Sequence, residues 1–438
     1  MKNNFLFSLL IGALCTVNTL SATKITPIIY ALNTHGEVYA NVNGTWSKGP
    51  SLPMFGNSNK LPILTLAAGP SVERTDGIQQ GQLYALDSFH GLWSMQEVSL
   101  AQPFGGNSSD KWEHTHNPSL SGIAVGKNQL IGFMYRKEKA LSFIWEKQNL
   151  ATKGVFDKNW AVDTNADANF VALSPDLPAT AFHVGYRYRF LVWERGYNKP
   201  FYAQLGKTGW IEIDQKFKKI YAGAEGSCIG IDKDGRMYAN QQIFGPQSAW
   251  VELVPPQLTS ITTIENANDA DQWTLTSGQE KLAFGLTTNN AGEIINEIMM
   301  SALLTCQHKN DLTKRVVNNV LWRRTGITTK NRFGLGWELV SLNSETEAPG
   351  LITALTIGSF DQTKEVEKAQ REAAEAQAAA QKLENDKKIA AQTATAKKAK
   401  IEKDKKDKDQ KAAAKAAALK KAKNSSRFKP AQSKTTNP

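Results

Sequence analysis

A short strand of small and β-branched residues recurs six times in this chain, and no other feature limits its fold as much. The copies are PILTLAAG from Pro62, SLSGIAVG from Ser119, NFVALSPD from Asn169, KIYAGAEG from Lys219, TSITTIEN from Thr259 and GLITALTIG from Gly350. Each ends at a turn signal and reads as a fully buried strand. Three strand–turn–strand segments share a second pattern: IYALNTHGEVYAN from Ile29, LYALDSFHGLWSM from Leu83 and CIGIDKDGRMYAN from Cys228. In each, an apolar strand meets Asn or Asp, then Gly, then an apolar–aromatic pair. The Asx side chain bonds its own backbone and Gly supplies positive φ, so each reads as a hairpin. FIWEKQ from Phe143 and FLVWERG from Phe190 keep only the second strand of that hairpin. Each unit then closes on a tryptophan: Trp46, Trp112, Trp160, Trp210, Trp250 and Trp337.

The order of the pieces adds topology. The opening segment has no first strand of its own, and the last first strand has no hairpin after it. Joined, they complete one unit, which is how a propeller closes its ring. Four-stranded blades repeating at ~40–50 residues fit the spacing. The expected fold is therefore all-β, a six-bladed β-propeller over residues 23–360 with one blade shared between the chain ends. The fifth spacing, 91 residues, is long. It holds GEIINEIMMSALLTCQHKNDLTKRVV, read as an insertion of helical character, with a concealed seventh blade as the alternative.

The units ALDSFHGLW, GIDKDGRMY and LNTHGEVY, each followed by a closing Trp, resemble the tectonin or tachylectin-type β-propeller repeat. The resemblance covers most of residues 26–360 and is clear in three of the six units. It implies a non-catalytic lectin that binds amino sugars or lipopolysaccharide at several equivalent sites between blades.

A tryptophan recurring at one place in every unit is expected to pack between blades. Trp93 and Trp273 stand off that register and are the ligand-binding candidates, with Asp87 and Asp232 in the hairpin turns. No Gly-x-Ser-x-Gly elbow, phosphate-binding Gly loop, paired-Cys zinc spacing or His-Glu-x-x-His occurs. His114 and His116 could share a strand face but lack a third ligand nearby in sequence. Asp232–Gly235 starts like a calcium loop without its remaining acidic ligands, and reads as a hairpin turn. No metal, cofactor or catalytic residue is expected.

Residues 1–22 have the layout of a secretory signal peptide, with Lys2, an apolar run from Phe5 to Val17 and small residues near Ala22. An uncleaved membrane anchor is the alternative, and no other stretch is long and apolar enough to span a bilayer. Export, to the periplasm, cell surface or medium, would leave Cys228 and Cys306, as one disulfide or as two separate buried thiols.

Charge is concentrated at one end. The chain has 52 Lys+Arg and 41 Asp+Glu, of which 21 and 11 lie from Asp361 onward. Residues 361–438 are Ala, Lys, Glu and Gln with too few apolar positions for a sustained heptad seam. They read as a low-complexity tail, a solvated helix or helix–coil mixture with at most weak pairing as a coiled coil. Its basic half suits an anionic surface: lipopolysaccharide, membrane headgroups or nucleic acid. The functional expectation is an exported lectin-like propeller that binds envelope or host glycans, with the tail adding electrostatic attachment. A protein-interaction scaffold is the first alternative and a propeller glycoside hydrolase the second.

Overall fold

The computed structural model describes residues 23–53, 61–73, 77, 79–95, 98–105, 112–115, 119–126, 129–136, 141–148, 161–165, 168–173, 188–193, 200–204, 211–213, 215–217, 219–242, 248–256, 273–311, 313, 315–344 and 348–425. Over 133–212 and 273–280 only the backbone is described. The fold is mostly β, followed by one helix.

The largest sheet has eight strands in the order β3-β2-β1-β24-β4-β5-β6-β7. It joins β1 (Ile25–Asn33), β2 (Val38–Val42), β3 (Thr45–Lys48), β4 (Ile63–Glu73), β5 (Gln79–Asp87), β6 (Leu92–Met95) and β7 (Trp112–Thr115) to β24 (Ile352–Asp361). The final strand β24 pairs antiparallel with the first, from Ile25↔Asp361 to Asn33↔Ile352. The two four-stranded halves are antiparallel within themselves and meet through one parallel pair, Ser359↔Pro70.

Four further sheets have four strands each. The first holds β8 (Gly122–Gly126), β9 (Gln129–Arg136), β10 (Leu141–Gln148) and β11 (Ala161–Asn165). The second holds β12 (Ala168–Leu173), β13 (Tyr188–Trp193), β14 (Pro200–Gln204) and β15 (Ile211–Glu212). The third holds β16 (Lys219–Ala222), β17 (Cys228–Ile231), β18 (Met237–Asn240) and β19 (Val251–Leu253). The last holds β20 (Trp273–Thr288), β21 (Ile294–His308), β22 (Arg315–Thr325) and β23 (Gly336–Ser344). The first strands β24, β4, β8, β12, β16 and β20 touch one another in that order, and β20 returns to β24.

Close approach of these strands explains their small residues. A Cβ on Gly285 of β20 would lie 2.3 Å from the Ile357 side chain of β24. Apolar clusters fill the spaces between sheets. One combines Ala31, Ile357 and Leu355 with Ala283, Met299 and Leu321. Another combines Ile229, Met237 and Leu253 with Ile298, Met300, Val320 and Trp322.

Several expectations are corrected. GEIINEIMMSALLTCQHKNDLTKRVV is no helix: Ile294–His308 and Arg315–Thr325 are long strands, because β21 is paired along both edges. The long spacing is thus filled by strands of up to 16 residues. TSITTIEN lies outside the described residues, and the first strand of its sheet is Trp273–Thr288. Units three and four keep more than a second strand, since both are full four-stranded sheets. Cys228 is a buried free thiol rather than half of a disulfide, and burial raises its pKa well above the usual value. Cys306 stands on β21, and its side chain lies outside the described residues.

Helix α1 (Thr363–Ser425) runs 63 residues. It is exposed from Glu367 on and has no apolar stripe. From Glu365 it forms a unit of its own. No helix among the described residues is long and apolar enough to cross a membrane.

Candidate functional site

Four hairpins turn on one local device. Asn33, Asp87, Asp232 and Asn289 each place Oδ1 where it accepts two backbone N–H groups, two and four residues on. The fourth residue of each turn has positive φ: Gly36 at 72°, His90 at 66°, Gly235 at 83° and Gly292 at 78°. The second side-chain atom of the Asx residue is matched to the fifth residue. Where the first residue is Asn, the fifth is Glu: Asn33 Nδ2 donates to Glu37 Oε2 (3.1 Å) and Asn289 Nδ2 to Glu293 Oε2 (2.8 Å). Where the first is Asp232, the fifth is Arg236, whose Nε donates to Oδ2 (2.9 Å). Where the first is Asp87, the fifth is Gly91, and the Trp93 indole N–H takes the place of a side chain (2.7 Å).

Charge follows from these bonds. Lys48, then Asn33, donate to Glu37 and push its carboxyl down to about 2. Burial works to raise the Asp232 carboxyl. The N–H groups of Arg236 and Asp234 and the Arg236 guanidinium outweigh it, so Asp232 ionises below its usual range. Asp232–Gly235 is thus a hairpin turn, as its sequence reads. No group of three or more metal-ligating side chains occurs among the described residues, and His116 lies outside them.

This device also relocates two ligand candidates. Trp93 is 3% exposed, and its ring packs edge-on against His114 at 4.9 Å. Asp87 is also 3% exposed. Together they lock a turn and present no face to a ligand, contrary to the expectation for both. Trp273 opens β20 opposite His308, and its side chain lies outside the described residues.

The closing tryptophans join neighbouring four-stranded units. Trp112 Nε1 donates to the Pro50 carbonyl (3.1 Å), and Trp337 Nε1 to the Val254 carbonyl (3.2 Å). Both acceptors stand four residues beyond the closing tryptophan of the preceding unit, Trp46 and Trp250. Trp46 packs on the cluster around Ala31 and Ala283, and Trp250 lies 4.5 Å from the Phe217 ring. Trp160 and Trp210 lie outside the described residues.

The first strands enclose a cavity of about 300 Å³. Its lining comes from β4, β8, β16, β20 and β24, and includes Thr65, Thr353, Thr356, Tyr221, Lys219 and Lys281 but no carboxylate among the described residues. Three hairpin turns gather at one end of it, those at Asn33, Asp87 and Asp232. Leu64 and Thr353 are the extra residues of two equivalent bulges there, between Ile63 and Thr65 and between Ile352 and Ala354. The N–H groups of Ser88 and Thr34 donate to Pro62 and Leu351, the residues just before β4 and β24. They hold the Asp87 and Asn33 turns against the starts of β4 and β24. Phe89, next in the Asp87 turn, is 76% exposed, and Leu64 is 53% exposed.

Lys219 opens β16 opposite Ile231, next to the Asp232 turn. The N–H of Leu286 donates to Ser359 Oγ (2.6 Å), which levels β20 with β24. Five residues back on each strand, at ~3.3 Å per residue, Lys281 is level with Ala354. Both lysines therefore belong to the turn-bearing end. The site was legible only in part: the hairpins showed, but the bulges, the cavity and its two lysines did not. The fourth turn shared the Asn-x-x-Gly spacing, in NNAG from Asn289, which could have revealed it.

No family model and no curated protein matches this chain. Solved structures similar to it include Aleuria aurantia lectin in complex with alpha-methyl-L-fucoside, at 15% identity over 76% of this chain and 99% of that one, TM-score 0.36. AofleA from Arthrobotrys oligospora shows 9% identity over 77% and 90%, TM-score 0.35. YCF48 bound to D1 peptide shows 12% identity over 66% and 81%, TM-score 0.32. Likeness at this level carries no argument about what the chain binds.

Proposed function

We propose that residues 23–360 form a closed six-bladed propeller that binds carbohydrate without covalent chemistry. The observation that carries this reading is the cavity among the first strands. Exposed Leu64 lines a cavity whose described wall also carries threonine and tyrosine hydroxyls and two lysines, and Phe89 is exposed in the turn bonded to the start of β4. A sugar needs both an apolar plane for its CH face and polar partners for its hydroxyls. The tectonin-like repeat supports the same reading. Export by residues 1–22, and attachment of the basic helix to an anionic surface, complete the proposal.

The test is a glycan array probed with the full chain and with a chain ending at Lys364, at low and high salt. Selective, salt-resistant spots from the shorter chain are expected. Signal from the full chain alone, lost in salt, would move the affinity to the helix and sink the carbohydrate reading.

One observation favours a second reading, a protein partner. Val254, Leu335 and Leu339 are exposed on the edges of the last two sheets, around Trp337. Replacing Leu335 and Leu339 with Ser should then abolish partner capture without touching sugar binding.

A further inference from the structure

The basic half of α1 has no preferred side, and that limits what it can hold. Resting on the attachment of the basic helix read above, we propose that residues 397–421 bind a flexible anionic polysaccharide, a chain with repeated carboxylate or phosphate groups that reaches around the helix. This stretch carries eleven lysines and four carboxylates. Every residue in it is exposed. The ion pairs Lys368–Glu372 and Glu384–Lys388 both lie before it. At 3.6 residues per turn, each residue advances about 100° around the axis. Lys397, Lys398, Lys406, Lys403 and Lys400 then stand at about 0°, 100°, 180°, 240° and 300°. Cut lengthwise, the stretch has six lysines with two carboxylates on one side and five with two on the other.

A rigid partner meets only one side of such a helix. A bilayer surface is flat, and a DNA duplex is stiff over the length of this stretch. A helix that settles on a bilayer also buries an apolar face. Here only Ile401 and Leu419 are apolar besides alanine. Single-stranded nucleic acid is held by stacking on aromatic rings and by guanidinium groups. Helix α1 has no aromatic residue, and its one arginine, Arg371, lies outside the stretch. An ammonium is a point charge without a fixed fork, so it suits charges repeated along a mobile chain. A flexible polyanion can follow the lysines around the axis and release counterions on both sides.

The experiment uses the full chain and calorimetric titration at low salt. The probes are polygalacturonate, double-stranded DNA, and vesicles of phosphatidylcholine with phosphatidylglycerol. Two variants each replace four lysines with Gln, which keeps helix propensity. One changes Lys397, Lys408, Lys411 and Lys415, on one side. The other changes Lys403, Lys406, Lys420 and Lys421, on the opposite side. Each should weaken polygalacturonate binding about tenfold or more. The combined variant should lose the product of the two factors. Circular dichroism checks that the helix is kept. A partner that needs one side only gives a different pattern, because either side can serve it: each variant alone loses little, and only the combined variant fails. That redundancy with polygalacturonate overturns the proposal. Tighter binding of DNA or vesicles at equal anionic charge overturns the polysaccharide and leaves attachment standing. Polygalacturonate binding that survives the combined variant overturns it too and moves the affinity to the ring. No binding of any probe overturns attachment itself. The array above, with the chain ending at Lys364, judges the ring separately.

Discussion

The most informative residues are the fifth positions of the Asx turns, because they show chemistry choosing partners within one chain. An Asn has a donor to spare and meets Glu; an Asp has an acceptor to spare and meets Arg or an indole N–H. Asp232→Asn should turn a donor toward the Arg236 guanidinium and cost about 1 kcal/mol. Arg236→Glu in that background should restore most of the loss, because it recreates the Asn33–Glu37 pair. A double-mutant cycle by denaturant unfolding measures the coupling, and additive losses would sink the idea. The same turns fix a pH dependence. Glu37 ionises at about 2 in the fold and higher when unfolded, so its contribution is present above the unfolded value and lost as pH falls toward 2. Glu37 is partly exposed, so the effect is small. Glu37→Gln should flatten the acid limb of the stability curve between roughly pH 5 and 2, as read by melting temperature. Gly91→Ala should be the costliest turn substitution. Its Cβ would sit 2.5 Å from Asp87 Oδ2 and 3.1 Å from His114 Nε2, breaking the pair with Trp93. A loss of about 2 kcal/mol is expected.

Among elements, the closing tryptophans and the helix behave as opposites. Trp112 is buried and bonded to the neighbouring four-stranded unit, so Trp112→Phe should lose the indole bond at about 1 kcal/mol. Trp112→Ala should cost about 3–5 kcal/mol. Thermal unfolding of both variants separates the hydrogen bond from the packing. Helix α1 buries almost nothing, and its leucines and isoleucines at 383, 389, 401 and 419 are all exposed. Its stability rests on Ala, Glu and Lys propensity and a few i,i+4 pairs such as Glu384–Lys388. Circular dichroism should show its signal melting gradually, apart from the cooperative β transition. A single shared transition would contradict this. Element type was legible wherever composition and period agreed, as in α1 and in strands β4, β8 and β16. It failed at Ile294–His308, where Leu, Met, Ala and Glu favour a helix. Pairing along both edges of β21 overrides that propensity.

For the whole molecule, β24 completes the sheet begun by β1, so the two ends of the β unit hold each other. A chain ending at Ser344 should lose the cooperative β transition, because Ile29, Ala31 and Leu32 lose their neighbours Ile357, Leu355 and Ala354. A chain ending at Lys364 should keep its melting temperature. Differential scanning calorimetry checks both, and an intact transition without β24 would refute closure as a source of stability. The sequence by itself determined the repeated strand, three of the four Asx turns, the recurring tryptophans and the pairing of the last strand with the first. Those are local or periodic properties, written in residues a few positions apart. Only the tertiary structure decided that Trp93 is a buried turn lock, that Cys228 is unpaired, and that Lys219 and Lys281 share one cavity. Each depends on strands tens of residues apart coming into register, and no local pattern records which side chains then converge.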